Sequence, residues 1–329
     1  GHVSHRDHVL ELVRGERAQF SQDQTIDVPF DAEAIFGMDG TLYIFGRNTI
    51  GYVQGDGPNA NGDGGTFSDV VILSSDLGVT DSRSIVRSPS GLIFRSPIGF
   101  QLLDRSGKVN YIGPEVVDLQ ALYPNTRSAI QHPVDNVVMF AVDNGSTGVR
   151  IVYNYLYERW SYDTIGVGGG VIQSQASVGN SLYTLMTDGT VWLEDSTIGT
   201  DGGNFVTSEL EFASEKPGGV QAQHRFHAVS VLGTRRGNVD LNVSVAFDDD
   251  SSYAYTQLFQ QNSLTSSMVN AQMYPARKLG RSIRIKVSDA FPTGAGAAYN
   301  NGLGLRISGV GLEFGVYDNM NRVDSGKRK

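Results

Sequence analysis

Residues 84–113 read SIVRSPSGLIFRSPIGFQLLDRSGKVNYIG, and this stretch decides the fold. It divides into four short strands in series. The first, over 84–87, is apolar and β-branched and ends at the turn Pro89-Ser90-Gly91. The second covers 92–95 and is interrupted by Ser96-Pro97, the third covers 98–103, and the fourth is Tyr111-Ile112, beyond a turn over 105–108. Each run is rich in Ile, Leu, Val, Phe and Tyr and is bounded by Gly, Pro or Ser, residues that supply turn dihedrals or withhold ladder hydrogen bonds. A four-stranded meander cannot bury both faces alone, so copies stacked against it are expected.

The sequence contains such copies. Upstream, AIFGMDGTLYIFGRNTIGYVQG carries a strand, the turn Asp39-Gly40, a strand over 42–45, a break at Arg47-Asn48 and a strand over 50–53. Downstream, SAIQHPVDNVVMFAVDNGSTGVRIVYNYLYERWSYD carries a strand, the turn Asp135-Asn136, strands over 137–142 and 150–155 separated by Asn144-Gly145, and a last strand near Trp160. An incomplete fourth copy, QASVGNSLYTLMTDGTVWLED, has turns at Gly179-Asn180 and Asp188-Gly189. The second residues of the first turns, Gly40, Gly91, Asn136 and Asn180, are spaced 51, 45 and 44 residues apart. A four-stranded unit at that period predicts β-propeller-like blades. A meandering sandwich with evenly spaced turns is the other reading.

Composition bounds the rest. The chain has 329 residues, 40 of them Gly, with 40% hydrophobic and 19% charged residues, which describes a folded, turn-rich β protein. No apolar run is long enough for a membrane-spanning helix, and no secretory signal opens the chain, whose Gly1-His2 start resembles a tag-cleavage scar. The absence of cysteine excludes disulfides and thiol chemistry. The formal charge of −9 argues against a protein that grips nucleic acid by neutralising phosphates. It is compatible with an acidic wall that a passing duplex does not stick to, and equally with ordinary solubility charge.

In chain order, residues 1–30 hold a strand over 9–13 and a polar linker; His2, His5 and His8 are spaced for adventitious metal only. Four units sit at the low end for closing a propeller, so further blades in a preceding segment, or strands from 1–30, are expected to complete a ring. The Gly/Asn/Asp loop over 54–69 suggests a calcium loop. With Gly62 at its sixth position, however, Gly57 and Ser68 fall where carboxylates are required. An inter-blade loop is expected instead, with Asp56, Asn59, Asn61 and Asp63 as candidate interface or channel-facing residues. A short helix is expected over 114–124, started by Pro114, stopped by Pro124 and packed through Val116, Val117, Leu119 and Leu122. The GVGGG run at 166–170 fits no phosphate-loop spacing and reads as a turn.

The polar stretch over 199–222 suggests a domain boundary near Gly202. Beyond it, longer alternating strands over 226–232, 239–247, 253–259, 282–287 and 305–314, with loops over 262–273 and 290–302, predict an antiparallel β-sandwich of jelly-roll type; two further blades are the alternative. The expected fold is therefore all-β, with an N-terminal strand and linker (1–30), blades (31–201), a sandwich (202–318) and a flexible basic tail (319–329). Asp248, Asp249 and Asp250 end a strand at a hairpin tip and join the candidate interface or channel-facing residues. His224 and His227, three apart on a strand, point to opposite faces and cannot share a metal. No nucleophile elbow, zinc motif or dinucleotide fingerprint is present, and no acidic pair can be nominated. No enzyme, cofactor or metal site is expected.

Several runs carry a resemblance. These are Tyr52-Val53-Gln54-Gly55-Asp56-Gly57-Pro58-Asn59, Leu73-Ser74-Ser75-Asp76-Leu77-Gly78, Ser82-Arg83-Ser84-Ile85-Val86, Gly91-Leu92-Ile93-Phe94, Leu103-Asp104-Arg105-Ser106 and Tyr111-Ile112-Gly113. Val152-Tyr153-Asn154-Tyr155, Arg159-Trp160-Ser161 and the 309–316 run GVGLEFGV add to them. Together they resemble the tail nozzle or hub proteins of short-tailed, podovirus-type bacteriophages, most densely over 34–165. The likeness lies in strands and turns rather than in a catalytic motif. It implies a virion structural protein, assembled in the host cytoplasm into a ring. Its implied partners are copies of itself, the portal or adaptor, and tail fibres or spikes, with double-stranded DNA passing transiently and no membrane span. Such proteins are usually longer at the N-terminus. A glycan-binding tail module without catalysis is the alternative, with Tyr157, Trp160 and Tyr162 as candidate sugar platforms; a glycosidase hidden in the propeller is a third reading.

Overall fold

The computed structural model describes residues 9–11, 25–57, 65–166, 170–195, 198, 200–217, 219, 222–235, 237–260, 268–275, 279–292 and 304–317. The chain forms two compact units, residues 1–194 and 195–329. Val9–Glu11 (β1) and Thr25–Asp27 (β2) pair antiparallel ahead of the first sheet.

The first unit is built from meanders. Blade I consists of Ala32–Met38 (β3), Thr41–Gly46 (β4), Ile50–Val53 (β5) and Val71–Ser74 (β6). Blade II consists of Val86–Ser88 (β7), Gly91–Ser96 (β8), Gly99–Asp104 (β9) and Val109–Tyr111 (β10). Blade III consists of Asn125–His132 (β11), Val137–Asp143 (β12), Gly148–Asn154 (β13) and Arg159–Asp163 (β14). Blade IV has three strands among the described residues: Ile172–Val178 (β15), Ser181–Met186 (β16) and Val191–Leu193 (β17). Every sheet keeps sequence order, and every pairing is antiparallel. The first strands of blades II, III and IV lie next to one another, β11 between β7 and β15, as the inner strands of propeller blades do.

Side-chain alternation explains the stacking. Successive residues of a strand point to opposite faces, so a strand between two sheets is apolar over most of its length, with any polar residue hydrogen-bonded. All seven residues of β12 and all six of β8 are buried. On β12, Val138, Phe140 and Val142 pack against Ile93 and Phe100 of blade II. Its intervening residues turn the other way: Val137 and Met139 meet Leu182, and Ala141 meets Ile172 and Met186 of blade IV. On β8, Leu92 and Phe94 pack against Tyr43 and Phe45 of blade I. Each such large side chain stabilises by about 1.5–3 kcal/mol when fully buried.

Two details differ from the sequence expectation. The first strand of blade II begins at Val86, because Asp81 accepts the Arg83 amide at 2.9 Å and caps a 3₁₀ turn over Ser82–Ser84. Pro114 does start a short helical segment, Pro114–Val116 followed by Val117–Leu122 (α1). Val116, Leu119 and Gln120 face inward, whereas Val117 and Leu122 are exposed, contrary to expectation, since they lie off that helical face.

The second unit starts earlier than Gly202. That glycine and Gly203, with φ of 56° and 88°, form the turn of a small hairpin, Thr200–Asp201 (β18) and Asn204–Phe205 (β19), so the polar composition marks a turn inside the unit. Glu209–Glu211 (β20), Gln223–Arg235 (β21), Asp240–Phe247 (β22), Tyr255–Phe259 (β23), Met268–Met273 (β24), Leu279–Gly280 (β25), Ile283–Ala290 (β26) and Leu305–Tyr317 (β27) follow. One sheet has the order β20-β26-β22-β23. In the other, β21 pairs with β27 along one edge and with β24 and β25 along the other. Both sheets contribute to one core of Phe226, Val229, Leu241, Val243, Ala271 and Ile285 among others, which makes an antiparallel β-sandwich. The expected loop over 262–273 is thereby corrected: its second half is β24, with Val269, Ala271 and Met273 buried and Asn270 and Gln272 outward. Residues 261–267, 293–303 and 319–329, and so the expected loops and basic tail there, lie outside the described residues.

Candidate functional site

The acidic loop residues occupy two places. Asp56 is exposed beyond β5, in a loop whose base is closed by Gln54 and Ser68: the Ser68 amide donates to the Gln54 carbonyl at 2.8 Å, and the Gln54 amide to Ser68 Oγ at 3.0 Å. Asn59, Asn61 and Asp63 lie outside the described residues. Asp248, Asp249 and Asp250 follow β22 in the other unit, all exposed, with Asp248 and Asp249 left-handed at φ of 56° and 59°. Their carboxylates diverge. Asp248 accepts the Arg281 amide at 2.6 Å. Asp249 accepts Ser214 Oγ at 2.6 Å and Lys216 Nζ at 2.9 Å, and Asp250 accepts the Ser252 amide at 3.0 Å. Hydrogen bonds from Ser214 and then Lys216 lower the Asp249 carboxyl to about 2. Three acids, each with its own partners, brace a turn rather than converge on an ion.

Other perturbed carboxylates share this use. Asp104, lowered chiefly by the Ser106 hydroxyl, caps the β9–β10 turn, and Asp188, lowered chiefly by the Thr190 hydroxyl, caps the β16–β17 turn. At Asp143 burial is the largest influence and acts upward. Hydrogen bonds from Arg127, the Gly145 amide and Asn125 together outweigh it and hold the carboxyl low. Asp289 is the exception: burial in the sandwich raises it, although its Oδ1 accepts the Ser208 amide. The buried cations also serve the scaffold. Arg150 binds Asp163 (2.8 Å) and Glu194 (3.0 Å) across blades III and IV. Arg95 donates to the Gln120 carbonyl at 2.7 Å, and burial lowers its pKa.

The histidines stay apart. His132 ends β11, buried, with Nδ1 3.2 Å from Ser177 Oγ. His224 is buried and His227 exposed on β21, the opposite faces that their spacing requires; His2, His5 and His8 lie outside the described residues. Among the described residues no cluster of three His, Asp or Glu is arranged to hold a metal. Of the aromatic candidates, Tyr157 and Tyr162 are 71% and 60% exposed. Trp160 is not a platform. It stacks on Phe100 at 4.8 Å, lies 4.6 Å from Tyr153, and donates Nε1–H to the Ile112 carbonyl at 2.6 Å, which locks blade III to blade II.

A cleft that the sequence reading missed lies between blades I and II. It has a volume of about 220 Å³ and is lined by Asp39, Tyr43, Tyr52, Gln54 and Arg105 among others. Asp39 takes a left-handed turn conformation (φ 51°), which sets its carboxylate 2.7 Å from Arg105 Nη1, while the Arg105 Nε donates to the Pro89 carbonyl. The Tyr43 hydroxyl is held neutral to high pH, first by burial and then by Asp39. The cleft unites residues 66 positions apart, Asp39 and Arg105, so no local motif announces it.

No family model matches this chain, and no curated protein matches it. Among solved structures, BamB from Moraxella catarrhalis is similar over 48% of this chain and 42% of its own, at 14% identity and a TM-score of 0.31, so this chain spans less than half of it. An exo-β-1,3-galactanase from Phanerochaete chrysosporium is similar over 84% of this chain and 78% of its own, at 10% identity and a TM-score of 0.27. The extracellular domain of a one-component system from B. thetaiotaomicron is similar over 73% of this chain and 36% of its own, at 12% identity and a TM-score of 0.30. At these scores none of the three bears on function.

Proposed function

We propose that the chain is a structural, non-catalytic protein of a short phage tail, part of the nozzle or hub that extends the tail and lines or closes the DNA exit channel. The observation that carries this reading is what the resembling residues do. Leu92, Ile93, Phe94 and Leu103 are fully buried, Tyr153 and Trp160 build the blade II–III contact, and Asp104 caps a turn. The likeness to tail nozzles is thus a likeness of scaffold. The lowered acids brace turns or pair with arginine, which suits a rigid load-bearing part better than acid–base chemistry. A net charge of −9 would repel the phosphates of a duplex moving past. In this reading the blades form a ring that meets the portal or adaptor above and fibres or spikes at its rim. The test is antibody labelling and peptide mass spectrometry of purified particles of the phage that encodes the chain. Label at the tail is expected; particles without the polypeptide overturn the reading.

A second reading, a glycan-binding tail module, is favoured by the blade I–II cleft, where two tyrosines and an Arg–Asp pair line a space of about 220 Å³. Such walls combine apolar faces with fixed hydrogen-bonding groups, as sugar sites do. Binding on a glycan array that disappears on Arg105→Ala would support it, and a silent array would remove it.

A further inference from the structure

The cleft between blades I and II holds polar groups with bonds left to make. Its floor is the face of blade I that packs on blade II farther along the strands, where Phe45 meets Phe94 at 5.2 Å. Tyr43 and Tyr52 are cross-strand partners on β4 and β5. Their rings lie 6.2 Å apart and are tilted by 47°, so they form a bent aromatic wall rather than a closed stack. Facing them is the β9–β10 turn. Gly107 takes φ of 84° there, and a Cβ on it would meet nothing closer than Leu73 at 4.0 Å, so the space stays unfilled.

Tyr43 is only 7% exposed, yet its hydroxyl makes no hydrogen bond among the described residues. Polar groups that deep normally have a partner, and the cleft that Tyr43 lines is the place for one. Arg105 commits Nε to the Pro89 carbonyl and Nη1 to both Asp39 oxygens, while its Nη2 makes no bond among the described residues. Asp39 and Arg105 remain 42% and 48% exposed, so each keeps an open side. A carboxylate and a guanidinium 2.7 Å apart match two neighbouring hydroxyls, one donating to Asp39 and the other accepting from Arg105. An amine would use Asp39 alone, and a ketone Arg105 alone. The tyrosine faces suit the C–H side of a sugar ring. A volume of about 220 Å³ is below the ~300–1,000 Å³ of drug-sized sites and limits the occupant to one ring. Charge narrows the class further. Asp39 lies 2.7 Å from Arg105 and 3.5 Å from Arg87, and both Asp39 and Asp104 bear electrostatically on Tyr43. Two guanidiniums and two carboxylates sum to zero, and an incoming anion would have to displace Asp39 from cations that it already neutralises. We infer that the cleft takes a single neutral pyranose with adjacent hydroxyls, held by Tyr43, Asp39 and Arg105, and rejects acidic sugars. The inference rests on the glycan-binding reading of this cleft and names the sugar class that reading leaves open.

The experiment is saturation-transfer NMR titration of the whole chain with the methyl pyranosides of glucose, galactose and mannose. Each is set beside its methyl uronoside, which differs in carrying a carboxylate at C6. One ring makes few contacts, so dissociation constants on the order of 1 mM are expected. At least one neutral glycoside should bind, and its uronoside should bind at least about tenfold more weakly, because like charges meet. Tyr43→Phe should weaken binding by roughly 3- to 10-fold. It should leave the melting temperature unchanged, since the hydroxyl it removes has no partner in the free chain. Uronosides that bind as well as their neutral counterparts overturn the inference but leave the glycan reading standing. So does silence from every monosaccharide while a glycan array still responds, which would place sugar binding elsewhere. Silence from monosaccharides and array together removes the glycan reading itself. Unchanged binding by Tyr43→Phe, or a fall in its melting temperature, also overturns the inference, since either would show that the hydroxyl does not wait for a ligand.

Discussion

The claim that β12 has no wet face can be tested on two adjacent residues. Phe140 and Ala141 are both fully buried but point to opposite sides, one toward blade II and the other toward blade IV. Phe140→Ala removes a ring lying 4.5 Å from Phe100 and 6.3 Å from Trp160. Truncation of such a ring costs about 3–5 kcal/mol, from lost transfer free energy plus the cavity left behind. A value near 4 kcal/mol follows, because neighbours held by the Trp160 hydrogen bond are poorly placed to collapse into the space. Ala141→Leu does the reverse, forcing added carbons against Ile172 and Met186 at about 1–3 kcal/mol. The assay is urea unfolding followed by tryptophan fluorescence. The chain has two tryptophans, Trp160 and Trp192, and both lie in the blades, so the signal reports that unit. With a slope of about 2 kcal/mol/M, the midpoint should fall by about 2 M for Phe140→Ala and by about 0.5–1.5 M for Ala141→Leu. Leu156→Ala, at a position 61% exposed, should stay within about 0.5 kcal/mol. If either buried substitution behaves like Leu156→Ala, one face of β12 meets water, and the stacked-blade architecture fails.

Two further outcomes are expected. Gly91 has φ of 146°, and a Cβ there would overlap the Leu103 carbonyl oxygen across the β8–β9 ladder, so Gly91→Ala should destabilise the blades by about 2–3 kcal/mol in the same assay; an unchanged midpoint would show that the backbone there relaxes freely. Asp143 is held below the ordinary carboxylate range, so it contributes stability above its unfolded pKa of about 3.9 and loses it as pH falls through the folded value. The loss in urea midpoint between pH 7 and pH 3 should therefore be smaller in Asp143→Asn than in the wild-type chain, and an identical loss would show that the Arg127 pairing carries no linkage.

The turns were readable because their chemistry is local. Asp39-Gly40 and Asn136 take positive φ (51°, 78° and 58°), which Asp, Asn and Gly tolerate and β-branched residues do not, so the meander and its period could be read from one stretch at a time. What a blade packs against is not local. The run VVMFAV, ahead of Asp143, has no polar position to mark a face, and a strand buried on both sides reads the same whichever sheets flank it. Arg95, Arg127 and Arg150 likewise look like surface charges until partners up to 44 residues away bury or neutralise them. The alternation in SLYTLM, by contrast, separates the two faces of blade IV directly.

The second unit shows how one irregularity defeats a pattern reading. Along β21, His224, Phe226 and Ala228 are buried at every second position, and then Val229, Val231 and Gly233 are buried in the opposite phase. The phase changes at a bulge between Phe226 and Ala228, where the partner strand β27 advances only from Phe314 to Glu313. Without the bulge, either His224 and Phe226 or Val229 and Val231 would face water, because a strand cannot bury both sets on one side. Thirteen residues with a single period would have to expose half of that apolar set; the extra residue lets one long strand present a continuous apolar face to the β22–β26 sheet. The same logic governs β24, where Asn270 and Gln272 disguise a strand as a loop while Val269, Ala271 and Met273 reach the core between them. The period of two thus breaks once in β21, at the bulge against β27, and runs unbroken through β24.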